Sequence, residues 1–258
     1  MMRSRHSLFT AVTAGLLLTA VPAAPAFGAG PELSARAPAA PPANPEKRNG
    51  VLSLAGGTYA YLPKGLTGAP APVLVVLHGA GGQAADMLEQ YRDEADKHGI
   101  ILLIPNAAKG TWDMINDLKG RLGAEFNVTP RYGKDLKAID AGLADLFNRV
   151  AVDPARVGVL GFSDGATYGL SLGTANPQLF RTVIAFSPGP AFLGKIDPTQ
   201  RVFISHSEND KVLPYSTARG HVAKLRVKKA IVAFESHDAG HKVPDDVNDK
   251  AFAFFVQR

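Results

Sequence analysis

From residue 49 onward the chain alternates short runs that are apolar at every position with longer stretches in which apolar residues recur every three or four. Val73-Leu74-Val75-Val76-Leu77-His78 is one such run, and it stops in Gly79-Ala80-Gly81-Gly82, as a parallel strand buried on both faces does. Residues 58–62 predict an earlier strand ended by Pro63. Residues 100–104, 157–160, 183–186, 202–205 and 230–234 predict five more. Between them, 84–98 has helical spacing, and 134–150 repeats Leu136, Ile139, Leu143 and Leu146 on one helical face. Residues 166–175 and 246–256 predict two further helices. Strands and helices in this order imply a mostly parallel sheet with helices on both faces, an α/β fold. On such sheets ligands bind beyond the carboxyl ends of the strands, so the residues just after each strand carry the functional argument.

The first 48 residues read differently. Arg3, Arg5 and His6 precede an apolar run from Leu8 to Val21, and Ala24-Pro25-Ala26 supplies a small-x-small cleavage pattern, with Gly28 as a second possible point. The run is too short to cross a bilayer comfortably, and Pro22 and Pro25 end it abruptly. Residues 1–26 are therefore expected to be a signal peptide, with no membrane span left after its removal. Export would place the chain outside the cell, or in the periplasm or cell wall. Residues 27–48 are rich in Ala and Pro and are expected to be an extended, mobile tether. The folded body is expected over 49–258.

Composition narrows the chemistry. The net charge is +5, but the first 48 residues hold five of the 28 Lys and Arg against two of the 23 acids. The remainder, 23 against 21, leaves no basic excess for a nucleic-acid partner. There is no cysteine, so disulfides, zinc–thiolate sites and thiol nucleophiles are excluded.

Four positions after strands carry candidate chemistry. Gly161-Phe162-Ser163-Asp164-Gly165 follows a strand and opens a helix, the Gly-x-Ser-x-Gly context in which a serine sits on a tight, strained turn. The glycine-rich loop after Leu77 can present backbone amides to an oxyanion, and the expected donors are the amides of Ala80 and Asp164. His78, at the strand end, is expected to brace that loop. His206-Ser207-Glu208-Asn209-Asp210 follows a third strand and offers Asp210, with Glu208 as rival, as the carboxylate that orients a base. Ser236-His237-Asp238-Ala239-Gly240-His241 follows the last strand and offers two histidines. His241 follows a glycine on a loop that can reach the serine, whereas His237 with Asp238 reads as a decoy pair.

Taken with Phe186-Ser187-Pro188-Gly189 and Asp210-Lys211-Val212-Leu213-Pro214, these motifs resemble the small α/β-hydrolase esterases over about residues 51–256. The nearest groups are the phospholipase/carboxylesterase and dienelactone-hydrolase-like branches, with some likeness to the catalytic domains of feruloyl esterases and polyhydroxyalkanoate depolymerases. The resemblance implies an α/β-hydrolase fold with Ser163 as nucleophile, Asp210 as acid and His241 as base. It requires no metal and no cofactor. Where many relatives carry Gln or Ala after the serine, this chain has Asp164, whose carboxylate must point away from the oxyanion.

The expected function is that of a secreted serine hydrolase acting on a small-molecule or polymer-borne carboxylic ester. A serine peptidase and a non-catalytic binding protein on the same scaffold are the alternatives. Only fourteen residues, 187–200, separate two late strands, too few for a large cap domain, so short-acyl or aryl esters are expected to be preferred. The long connection 107–132 holds the sole tryptophan, and Trp112 is expected to line the substrate cleft, although packing on the core accounts for it equally well.

Overall fold

The structure, a computed structural model, describes residues 30–121 and 129–257. The leader with both of its cleavage points lies outside the described residues, as do Phe126 of the 107–132 connection and Asn127, the acceptor of the glycosylation pattern Asn127-Val128-Thr129.

Among the described residues, eight strands form one sheet in the order β1-β2-β4-β3-β5-β6-β7-β8. The strands are β1 (Gly50–Ser53), β2 (Tyr59–Leu62), β3 (Ala71–Leu77), β4 (Ile101–Ile104), β5 (Val152–Phe162), β6 (Thr182–Phe186), β7 (Arg201–Ser207) and β8 (Ile231–His237). Pairing is antiparallel between β1 and β2 and between β2 and β4, and parallel everywhere else. Six α-helices lie among the described residues: α1 (Ala84–His98), α2 (Asp113–Arg121), α3 (Lys134–Arg149), α4 (Asp164–Ala175), α5 (Tyr215–Val227) and α6 (Asp245–Val256).

The apolar run of β3 is buried throughout because helices cover both faces of the sheet. Val73, Val75 and Leu77 point to one side and pack with Ile139, Leu143 and Leu146 of α3 and with Leu170 and Leu172 of α4. Leu74 and Val76 point to the other, against Tyr91 of α1 and Phe252 and Phe255 of α6. Two-residue alternation in an all-apolar strand thus builds two cores at once.

The first described segment departs from the expected mobile tether. Leu33 and Ala35 are buried in the α3/α4 core. The Leu33 amide donates to Asn176 Oδ1 at 2.8 Å, and Asn176 Nδ2 donates to the Pro31 carbonyl. The Ser34 and Ala35 amides both donate to Asp140 Oδ1 of α3. The Ala/Pro-rich average hides a local alternation, Leu33-Ser34-Ala35, that suits a strap with one buried edge. Removing that anchor has a measurable cost: Leu33→Ala is expected to lower stability by about 2 kcal/mol, read as an earlier midpoint in urea. An unchanged midpoint would mean that the strap is not held.

Candidate active site

β5 ends at Phe162 and α4 begins at Asp164, which leaves Ser163 alone in the turn between them. Its φ of 55° and ψ of −119° lie where a side chain is strained, and such a residue costs on the order of 1–3 kcal/mol. The glycines on either side make the turn possible. A Cβ on Gly161 would strike the Gly165 carbonyl, and one on Gly165 would strike that of Leu77. The Ser163 amide donates to the Phe186 carbonyl at 2.9 Å, tying the turn to β6.

Three side chains, from the turns and loops after β5, β7 and β8, form one hydrogen-bonded row. Ser163 Oγ lies 2.9 Å from His241 Nε2, and His241 Nδ1 lies 2.7 Å from Asp210 Oδ2. The carboxylate can only accept, so Nδ1 carries the imidazole hydrogen and the Nε2 lone pair faces the serine hydroxyl. Asp210 Oδ1 accepts from the amides of Val212 at 2.8 Å and Leu213 at 3.0 Å. Its side chain is fully buried. Burial raises the Asp210 pKa, but the hydrogen bonds from His241, Leu213 and Val212 outweigh it and hold the carboxyl below the usual carboxylate range. Gly240, at φ +76°, gives the turn that brings His241 inward, and its amide donates to Ser207 Oγ at 2.9 Å. The Phe162 ring packs on the imidazole at 4.9 Å.

The other candidates sort themselves around this row. Glu208 is exposed and takes no part in it. His237 makes no hydrogen bond to Ser163 or Asp210; its Nδ1 accepts from the Ala239 amide, and burial lowers its pKa. His78 is buried, with Nε2 accepting from the Ala107 amide at 3.1 Å and Nδ1 therefore donating to the Gly79 carbonyl at 2.7 Å. It braces the loop, as its place at the strand end implies. The Gly81 and Gly82 amides are spent on Gly110 and Gly79 carbonyls, whereas the Ala80 and Asp164 amides donate to no other described residue. The loop stands against the serine: a Cβ on Gly79 would lie 3.4 Å from that of Ser163. The Asp164 carboxylate turns toward α2, where Oδ2 accepts from Thr111 Oγ1 at 2.7 Å and meets Lys119 Nζ at 3.4 Å.

Trp112 is corrected. It is fully buried, its Nε1 donates to the His78 carbonyl at 2.9 Å, and its ring packs between those of His78 and Tyr168 at 4.9 and 5.2 Å. It supports the glycine-rich loop from behind and lines no open cleft. Trp112→Phe should therefore cost about 1–3 kcal/mol in unfolding, for the orphaned carbonyl, and leave acyl-chain selectivity unchanged. A shifted selectivity profile would return it to the cleft.

Behind that loop two carboxylates cap each other's helices. The Asp113 amide donates to Asp135 Oδ2 at 2.7 Å, and the Asp135 amide to Asp113 Oδ2 at 2.9 Å, joining the starts of α2 and α3. Burial raises the Asp135 pKa. One buried residue next to the row, first in the post-strand motif 206–210, has no role in the sequence reading. His206, on β7, has Nε2 3.0 Å from the Leu213 carbonyl and 3.2 Å from Asp210 Oδ2. Among the described residues no group of three or more His, Cys, Asp or Glu side chains is arranged to hold a metal ion.

Strand order, helices on both faces and a serine on the strand-to-helix turn define an α/β-hydrolase. Residues 57–250 match the dienelactone hydrolase family, and the chain belongs to it. Among curated relatives, it is 29% identical over 140 residues to acetylxylan esterase A of Emericella nidulans, covering 52% of this chain and 43% of that protein. It is 28% identical over 129 residues to an acetylxylan esterase of Coprinopsis cinerea, covering 48% and 32%. The chain thus spans less than half the length of these relatives. At the level of fold it resembles the Bacillus cereus carboxylesterase, with a TM-score of 0.56 and 19% identity over 77% of this chain and 92% of that one.

Proposed function

We propose that this protein is an exported serine hydrolase that cleaves carboxylic esters through an acyl-enzyme, with short-acyl or aryl esters preferred. The observation that carries the reading is the row of Ser163 Oγ, His241 Nε2, His241 Nδ1 and Asp210 Oδ2, with contacts of 2.9 and 2.7 Å. In this mechanism Ser163 Oγ attacks the ester carbonyl as its proton passes to His241 Nε2. Asp210, ionised and cut off from water, stabilises the imidazolium. The carbonyl oxygen, now negative, rests on the Ala80 and Asp164 amides, and the second of these sits at the amino end of α4, where the helix dipole favours an anion. His241 then gives its proton to the leaving alcohol, and water releases the acyl group by the same steps.

The preference for small acyl groups rests on residues 187–200, which carry no helix to roof the serine. The acetyl ester in the names of two relatives agrees with it. The apolar leader supports export.

Two measurements test the reading together. A fluorophosphonate probe should add once to the intact mass, at Ser163, and kcat/KM over p-nitrophenyl esters should fall from butyrate to palmitate. Palmitate above butyrate would replace the open cleft with a lipase-like site. On the pH axis, kcat/KM should rise with pH, because only the neutral His241 imidazole can take the serine proton. The lowered pKa of Asp210 means that its stabilising contribution is complete above the unfolded value near 4 and is lost as pH falls through its folded value. Turnover should therefore vanish on acidification before far-UV circular dichroism changes. An optimum well below pH 5 would exclude the mechanism.

A further inference from the structure

Two imidazoles, not one, approach Asp210 Oδ2. His241 Nδ1 lies 2.7 Å from it and His206 Nε2 lies 3.2 Å from it. His206 sits near the end of β7, in register with Ser236 of β8, and its side chain is wholly buried. Its Nε2 also lies 3.0 Å from the Leu213 carbonyl. That oxygen can only accept, so the hydrogen of the neutral ring is on Nε2. Nδ1 is then a bare lone pair, buried and without a partner among the described residues. An unsatisfied polar atom in a core calls for an explanation. Here the explanation is the position of the other nitrogen.

We propose that His206 is a positioning residue that sets the orientation and the effective charge of Asp210. The proposal rests on reading Ser163, His241 and Asp210 as the reacting row. Through Leu213, His206 fixes the turn whose amides hold Asp210 Oδ1. Through Nε2–H it lays a positive dipole against Oδ2, the oxygen that also faces His241. Part of the carboxylate charge is spent on His206, and His241 experiences less of it. Without His206 the full charge acts on His241 and favours its imidazolium form, which cannot take the serine proton. The acid limb of the kcat/KM profile then moves to higher pH. The other ionisable groups around His206 are His221 and Tyr215 of α5 and His237 of β8, with Asp238 and Asp246 beyond His237. None of these is changed in the test.

The test compares wild type with His206→Leu, His206→Asn and His206→Gln on p-nitrophenyl acetate between about pH 5 and 9. Gln can place an amide nitrogen near the position of Nε2, whereas Asn is too short and Leu has no donor. The Leu and Asn variants are expected to lose about tenfold in kcat, the effect of losing the one hydrogen bond that holds the Leu213 turn and of leaving its buried carbonyl unpaired. Their acid limb is expected to shift upward by about half a pH unit, and Gln should restore both. If Leu does not fold, as thermal unfolding would show, the Asn and Gln pair decides. An acid limb that stays at the wild-type pH in every variant overturns the proposal, whatever the loss of rate, because a packing role alone would leave it there. A wild-type chain with no turnover dependent on Ser163 overturns the reading of the row as well. An active wild type with unmoved limbs overturns only the role of His206.

Discussion

Ser163→Ala is expected to abolish ester hydrolysis to near background, a loss of about 10⁴-fold or more in kcat. The size of the effect follows from geometry. Ser163 is the only hydroxyl within hydrogen-bond reach of His241 Nε2 among the described residues, and its turn is built for it by two glycines and a bond to β6. Without Oγ the base has no proton to take and no acyl-enzyme can form. The remaining rate would come from the free amides alone. Residual turnover above about one hundredth of wild type, with the fluorophosphonate adduct still present, would place the nucleophile elsewhere.

The second large effect separates the two histidines that follow β8. His241→Ala is expected to cost nearly as much as loss of the serine, because members of one proton-transfer unit fail together. His237→Ala should leave most of the activity. His237 is spent on the Ala239 amide and reaches neither Oγ nor Asp210 through a hydrogen bond. Its neighbour Asp238 therefore orients nothing in the row. An inactive His237→Ala beside an active His241→Ala would reassign the base and withdraw Asp210 from its role. Steady-state kinetics on p-nitrophenyl acetate decides between the two.

The strands of the central sheet are legible because burial on both faces leaves uninterrupted apolar runs such as 73–77. Elements with weaker burial leave no such trace. β1 has one buried position in four residues, so it offers no period to read. β5 begins at Val152 rather than Val157, since Pro154 and a register shift against Ala71 interrupt its first half. α2 is nine residues long and falls inside the long 107–132 connection, where composition alone suggests a loop. In the site, Ser163, Asp210 and His241 were identifiable from their places just after strands. His206 was not: it reads as the first residue after the strand 202–205, but β7 runs on to Ser207, and the neighbours that hold its ring belong to the turn beyond Asp210. Trp112 shows the limit most plainly. Its partner is the carbonyl of His78, 34 residues away, and a backbone acceptor leaves no mark in the amino-acid sequence.

The strap at Leu33 and Ala35 has a consequence for the order of assembly. Its bonds join residues 143 and 106 positions apart, to Asn176 after α4 and to Asp140 on α3. Neither partner is in place until both helices lie on the sheet, so the strap cannot belong to the folding nucleus. Closing so long a loop is slow and comes late. Contacts made after the barrier slow unfolding without speeding folding. The strap is in this sense a latch: the body forms without it, and its seating sets how long the finished molecule stays shut.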